Sequence, residues 1–297
     1  MGTLFCNTWS RKLTAATFFE LMTPLCGMRS FFVAILLFWA ADCAFAQFEP
    51  SSTSSRCQAM GGASVALHDF SGSNVNPASL GWIGRWNVSI DYRQFLSMKG
   101  MAYKSISVGM PTAKVGSAAL FYTHFGDRAY NEQSLSAQYG IKVSKHVSVG
   151  VGVYYLHSGT NDGHYEAFNS ATGSVGVLYR PNEKLSFGAS VFNPFFVRRD
   201  ATFRIPVQLN IGAAYRPLSS FLLTMEFEKN VYDPLRVRFG AEYCLFDRLL
   251  LQAGLATSPM VYSIGVGYTH SHISANICVS VHQHAGITPG VTVGYSF

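Results

Sequence analysis

The stretch Val147-Ser148-Val149-Gly150-Val151-Gly152-Val153-Tyr154-Tyr155 decides the fold. Its odd positions carry Val, Val, Val, Val and Tyr, and its even positions open with Ser, Gly and Gly. A β-strand points successive side chains to opposite faces, so the segment has one apolar face and one small or polar face. Outward from it the same period recurs. Val207, Leu209, Ile211, Ala213 and Tyr215 alternate with Gln208, Asn210, Gly212 and Ala214. Ile273, Ala275, Ile277, Val279 and Val281 alternate with Ser274, Asn276, Cys278 and Ser280. The chain ends on Val291, Val293, Tyr295 and Phe297 against Thr292, Gly294 and Ser296. Fourteen such segments start near Trp86, Ala102, Lys114, Gln133, His146, Thr172, Leu185, Pro206, Phe221, Leu235, Leu249, Val261, Ile273 and Thr288. Each is about ten residues, the length that crosses the hydrocarbon of a bilayer when tilted.

The connections carry a second pattern. Pro111-Thr112-Ala113, Ser144-Lys145, residues 180–183, 216–220, 246–248 and 270–272 form a tight set. Residues 96–100, 125–132, 158–171, 194–205, 230–234 and 282–287 alternate with them and are mostly longer. Short periplasmic turns with longer outer loops are the outer-membrane barrel pattern, and an even strand count brings both termini to one side. A soluble sandwich also alternates, but its inward face is a packed apolar core. Here the complementary face is Gly, Ser, Ala, Asn and Gln, which suits a lumen. The expected fold is therefore all-β: a 14-stranded antiparallel transmembrane β-barrel over residues 85–297, with an N-terminal luminal hatch over 47–84. The expected location is the outer membrane of a Gram-negative bacterium, with N- and C-termini periplasmic and outer-membrane lipid around the wall.

Composition agrees. Of 297 residues only 13% are charged, against about 25% in soluble domains, while 27 are Gly and 14% aromatic. So much apolar surface and so little charge exclude disorder. No run of roughly 18 apolar residues exists to make a helical span. The net charge of +6 is thin and unclustered along the chain, which argues against a nucleic-acid partner. Residues 1–46 read as an export signal. Arg29 precedes the apolar run Phe31–Ala41, and Ala44-Phe45-Ala46 is a small-x-small cleavage site. Met28 is an alternative start. Cys57, Cys244 and Cys278 remain after cleavage, an odd number without metal spacing.

Charges fall on the inward set. Glu226 and Glu228 alternate with Met225 and Phe227, and Arg236, Arg238 and Glu242 with Val237, Phe239 and Ala241. With the turn centred near Tyr232, Glu228 faces Arg236 and Glu226 faces Arg238. Opposite charges across a ladder stabilise by roughly 0.2–1 kcal/mol, whereas an Arg facing lipid at mid-depth costs about 2–4 kcal/mol. The charges therefore point inward, and the simplest role for this luminal ladder is to hold register. A selective path is the alternative. Tyr295 and Phe297 form an aromatic C-terminal strand of the kind that outer-membrane assembly machinery reads.

Residues 47–84 do not alternate. They contain Met60-Gly61-Gly62-Ala63-Ser64-Val65-Ala66, then Asp69, then Asn76-Pro77-Ala78-Ser79-Leu80. The paired glycines allow tight backbone approach, and Pro77 restrains Asn76 to an extended or turn geometry. This pattern resembles the N-terminal motif of the FadL-like outer-membrane barrels, and especially the PorV/PorQ branch associated with type IX secretion. The resemblance rests on Met60, Gly61, Gly62, Ala63, Val65, Ala66, Asp69, Asn76, Pro77, Ala78 and Leu80. It implies a fourteen-stranded barrel with a hatch in the lumen, acting as a non-enzymatic component or accessory of protein export that contacts secretion-system subunits. The alternative it implies is a passive channel for small hydrophobic ligands. A channel predicts an apolar pocket beneath the hatch and an opening in the wall; an export role predicts a sealed lumen and partners at a rim. Phe195, Phe196, Arg198 and Arg199 form the candidate partner loop, because exposed aromatics with Arg are typical of interfaces.

No nucleophile elbow, HExxH, P-loop or GxGxxG stands in a suitable setting, so no enzyme and no cofactor are expected. His270 with His272, and His282 with His284, bracket one strand. At about 3.3 Å per residue they lie roughly 30 Å apart, too far to share a metal ion.

Overall fold

The computed structural model describes residues 52–112, 116–127, 130–160, 167–195, 205–283 and 286–297. The expected signal segment, the alternative start at Met28, Phe196, Arg198, Arg199 and His284 lie outside them. The described residues form fourteen strands: β1 (Asn87–Gln94), β2 (Ala102–Thr112), β3 (Gly116–Gly126), β4 (Tyr130–Lys142), β5 (Val147–Thr160), β6 (Phe168–Tyr179), β7 (Leu185–Phe192), β8 (Gln208–Leu218), β9 (Phe221–Asn230), β10 (Arg236–Leu245), β11 (Leu249–Ala256), β12 (Val261–His270), β13 (Ile273–His282) and β14 (Gly286–Ser296). Each pairs antiparallel with its chain neighbours, and β1 closes on β14, so the sheet is a closed barrel without edges.

Burial is inside-out relative to a soluble protein. The wholly buried side chains include Gln208, Glu226 and Asn210, while Val153 is 65% and Ile264 66% exposed. This is the distribution a lipid-facing apolar wall around a polar interior requires, since lipid replaces the solvent that apolar groups avoid.

The two-residue period places most strand starts within a residue or two of the sequence reading. β6 begins at Phe168 rather than near Thr172, and β4 at Tyr130 rather than near Gln133. Both strands continue past the apolar outward stretch into polar residues, where the ladder persists although the hydropathy signal ends. β8 carries a register shift between Tyr215 and Leu218, around Pro217, which has no N–H for the ladder.

The closing seam joins Trp86 and Phe297 by reciprocal backbone bonds of 2.9 and 3.0 Å, with their rings stacked 6.0 Å apart. Tyr295 points outward and packs 5.6 Å from the Phe297 ring. The last aromatic thus sits where the barrel closes.

Ahead of β1, residues 52–83 fill the lumen. They form helix α1 (Ser55–Ala59) and 3-10 turns at Phe70–Gly72 and Pro77–Trp82. α1 packs on β11 to β14, and the Pro77–Trp82 turn on β3 to β6.

Candidate functional site

The hatch is built by its own motif. Gly61 and Gly62 take positive φ of 68° and 85°, and their N–H groups donate to the Gln58 and Cys57 carbonyls, ending α1. Met60 is fully buried in an apolar cluster with Cys57, Val65 and Leu67. Asp69 accepts from the Ser71 N–H and from Arg56 Nη1 at 2.6 Å. Asn76, wholly buried, caps the next turn by accepting from Ala78 N–H, and its Nδ2 donates to the carbonyls of Val65 and Val177. Pro77 then opens that turn, where a missing N–H costs nothing. Ala63 and Ala78 are buried with at most 1% exposure, where a larger side chain has no room.

The wall receives this segment on glycine. A Cβ on Gly188 would stand 2.0 Å from the Val65 carbonyl oxygen, one on Gly254 2.0 Å from Gly61 N, and one on Gly176 2.1 Å from Asn76 Oδ1. A Cβ on Gly150 would meet the Pro77 carbonyl carbon at 2.3 Å. These inward glycines form a belt at which hatch backbone lies directly on strand backbone. Between them, wall hydroxyls satisfy hatch carbonyls: Ser148 Oγ donates to Ala78 O at 2.7 Å and Ser186 Oγ to Ala66 O at 2.8 Å.

Charge fastens the same segment. Glu228 faces Arg236 and Glu226 faces Arg238 across the β9–β10 ladder. Arg236 Nη1 lies 2.9 Å from Glu228, and Arg238 lies 2.5 Å from Glu228 and 3.6 Å from Glu226. Glu226 Oε2 accepts from Ser64 N–H at 2.6 Å and Val65 N–H at 2.8 Å, and Arg238 Nη1 donates to the Gly62 carbonyl. Glu242 takes Arg56 in a two-point contact of 2.6 and 2.8 Å. The ladder therefore does more than hold two strands in register: two of its acids hold the hatch. Arg56 escaped the sequence reading, as did the glycine belt. The signal for Arg56 was a lone cation four residues before Met60 in a segment otherwise poor in charge.

Burial alone would raise the Asp69 carboxyl, but Arg56 beside it holds it below the usual carboxylate range. Burial alone would lower Arg56, yet Asp69 and Glu242 hold it well above its ordinary value. Burial pushes His68 down to about 4, with Arg180 and Arg216 adding to that push and Asp69 opposing it. Burial raises the Cys57 thiol to about 12, so it is an inert packing group.

On the long-loop side of the hatch the lumen turns aromatic. Tyr154, Leu156, Phe168, Phe192 and Ile205 form one buried cluster. Opposite, Phe95 contacts Tyr103, Phe125 and His282 edge-on, and Arg93 lies 4.4 Å over the Tyr103 ring. β7 stops early: its ladder with β6 pairs residues 174–179 with 187–192, so the long-loop half of β6 extends past the end of β7. Asn193 follows β7 at φ 53°, accepts from Thr172 Oγ1 and donates to the Ile205 carbonyl, tying Ile205 to the end of that strand.

A cavity of about 90 Å³ lies between the hatch and the wall near the closing seam, lined by Ser89, Asp91, Ser107, Asn276, Thr292 and Phe121 among others. It is mainly hydroxyl and amide. The apolar pocket that a channel reading places beneath the hatch is therefore absent from this cavity, and the apolar group lies on the opposite, long-loop side. Phe195 of the candidate partner loop is 78% exposed. His270 and His272 are exposed at the short-turn end while His282 joins the luminal aromatics, and no group of metal-ligating side chains occurs among the described residues.

No protein-family model matches the chain, and no curated protein matches it in sequence. Solved structures do. The chain is similar to CymD, a monoaromatic hydrocarbon channel, with TM-score 0.62 and 13% identity over 84% of this chain and 99% of that one. It is similar to the Pseudomonas putida toluene transporter TodX, with TM-score 0.62 and 13% identity over 84% and 98% of the two chains. A Pseudomonas aeruginosa FadL homologue aligns with TM-score 0.58 and 12% identity over 84% and 99%. At these identities the likeness establishes the fold alone, a closed fourteen-stranded antiparallel barrel.

Proposed function

We propose that this protein is an outer-membrane channel admitting small hydrophobic compounds, with its termini and short turns in the periplasm. The observation that carries this reading is the buried aromatic and aliphatic cluster of Tyr154, Leu156, Phe168, Phe192 and Ile205 on a luminal face whose other buried wall residues are mostly Ser, Thr, Asn and Gln. Apolar side chains gathered at one place in a polar barrel suit an apolar solute. The cluster adjoins the point where β7 ends short of β6, the place in the wall where we look for solute entry. The fold likeness to channels for toluene and other monoaromatic hydrocarbons supports the same reading. The export-accessory reading is supported by the motif resemblance alone, so the channel stands first.

The hatch gates this path. Its backbone packs on β3 to β6 and on β11 to β14, so a compound resting on the aromatic cluster passes only when hatch contacts open. Transport is passive, and no bond is made or broken.

The test is uptake of radiolabelled toluene by cells expressing the full chain, against vector-only cells. Uptake above the vector level that falls with Phe192→Asp and Tyr154→Asp is expected, with heat-modifiable gel migration showing that each variant barrel folds. Uptake equal to vector in cells with folded wild-type barrel removes the channel reading.

A further inference from the structure

The short-turn mouth carries basic residues placed against one another. Lys142 is the last residue of β4 and continues its inward set of Gln138 and Gly140. His146 precedes the inward Ser148 of β5, Arg180 follows the inward Leu178 of β6, Lys184 precedes the inward Ser186 of β7, and Arg216 follows the inward Ala214 of β8. The ladder sets Arg180 beside His146 and brings Arg216 opposite Lys184 as a like-charged pair. Arg180 N–H donates to the His146 carbonyl at 2.7 Å, and Arg216 N–H to the Lys184 carbonyl at 2.6 Å. Cations directly opposite each other across a ladder are destabilising. The hatch adds Trp82, whose ring lies 3.9 Å from Lys142 Nζ and 4.3 Å from the Arg180 guanidinium. Among the described residues none of the five forms an ion pair. Glu183 in the β6–β7 turn only partly offsets the burial and the Arg216 repulsion that hold Arg180 below its ordinary value.

We propose that this basic arc, from Lys142 through His146, Arg180 and Lys184 to Arg216, is the docking site for an acidic protein segment at the short-turn mouth of the barrel. Three observations select that occupant. The five residues sit on five neighbouring strands, and at about 4.8 Å per strand the arc spans roughly 19 Å. A single carboxylate or phosphate touches a fraction of that width, whereas an extended acidic segment matches it. The residues continue the inward set, so they ring the lumen mouth rather than face lipid headgroups around the wall. Finally, the arc encloses the Trp82 end of the hatch, so a bound segment contacts the gate itself. The assignment is independent of what the lumen carries.

The test uses the full chain in zwitterionic nanodiscs with a fluorescein-labelled deca-glutamate peptide, read by anisotropy at low and high salt. Wild type binds the peptide and loses it with salt. Arg180→Gln with Arg216→Gln weakens binding by on the order of tenfold. Lys229→Gln, on the outer face near the opposite end, leaves it unchanged. Lys184→Glu separates site from structure: it pairs with Arg216, raises the thermal midpoint of the barrel and abolishes peptide binding. Absence of binding, or binding equal in wild type and the double variant, overturns the proposal. Capture of phosphatidylglycerol vesicles through these residues without peptide binding also overturns it, in favour of a membrane surface.

Discussion

Glu226→Gln tests how the hatch is held. In the native protein this wholly buried carboxylate accepts two backbone N–H groups, from Ser64 at 2.6 Å and Val65 at 2.8 Å, through one oxygen. Its other oxygen faces Arg238 at 3.6 Å. Glutamine preserves the shape but cannot preserve both contacts. If its carbonyl faces the two N–H groups, its NH2 faces a guanidinium; reversed, its NH2 opposes two donors. The first orientation costs less and still converts two charge-assisted hydrogen bonds into neutral ones. Charge-assisted bonds contribute about 1.5–3 kcal/mol and neutral ones about 0.5–1.5 kcal/mol, so the loss is about 2–3 kcal/mol. At 1.4 kcal/mol per decade the open population of this hatch segment rises roughly 30- to 150-fold. Amide hydrogen exchange at Ser64 and Val65, in detergent micelles, reads that ratio directly. The barrel's thermal midpoint is expected to change little, because Arg238 keeps Glu228 at 2.5 Å. Exchange at these two amides within threefold of wild type would refute the claim that Glu226 anchors the hatch.

Other consequences follow from the same contacts. Gly188→Ala sets a methyl 2.0 Å from the Val65 carbonyl and is expected to weaken hatch docking by about 1–3 kcal/mol, seen as faster proteolysis of residues 60–80; Gly84→Ala, with nothing within 4 Å, is expected to change nothing. Arg56→Ala leaves Glu242 without its buried partner and is expected to cost about 3–5 kcal/mol of hatch docking, measured by the same exchange experiment. Acid loosens the hatch in two stages. His68 is held down to about 4, so the released hatch binds the proton first; docking is full above about 6.5 and declines as pH falls toward 4. Asp69 is held below its ordinary value, so its contribution is present above about 3.9 and is lost as pH falls further. Exchange of hatch amides against pH checks both, and His68→Asn should flatten the first stage. Deleting Phe297 removes the stack on Trp86 and one seam bond pair, and should lower the yield of heat-modifiable barrel in cells more than refolding yield in detergent.

Strand period is local, and local information was enough for the wall. Val147 to Tyr155 announces which side chains face lipid without reference to any other strand, and alternating turn lengths fix how the strands follow one another. The β9–β10 register was equally legible, because Glu226 and Glu228 find Arg238 and Arg236 across the 230–234 connection. What the wall faces inward was harder. Arg56 and Glu242 are 186 residues apart, and no periodicity links them. The basic pairs at the short-turn mouth appear only once β5–β6 and β7–β8 are in register, since Arg180 and His146 are unremarkable as separate turn residues. The glycine belt is the instructive case. Read as a lumen, the inward face needed small or polar residues, and serine would have served. Glycine in a strand interior costs roughly 0.5–1 kcal/mol relative to alanine. Gly140, Gly150, Gly176, Gly188, Gly212, Gly240 and Gly254 nevertheless all fall on the inward set, and at every one of them a Cβ would collide with the hatch or with the neighbouring strand's backbone or side chains. A one-sided excess of a residue that weakens strands is itself a signal that another backbone lies against that face, and it was present in the sequence before any strand was paired.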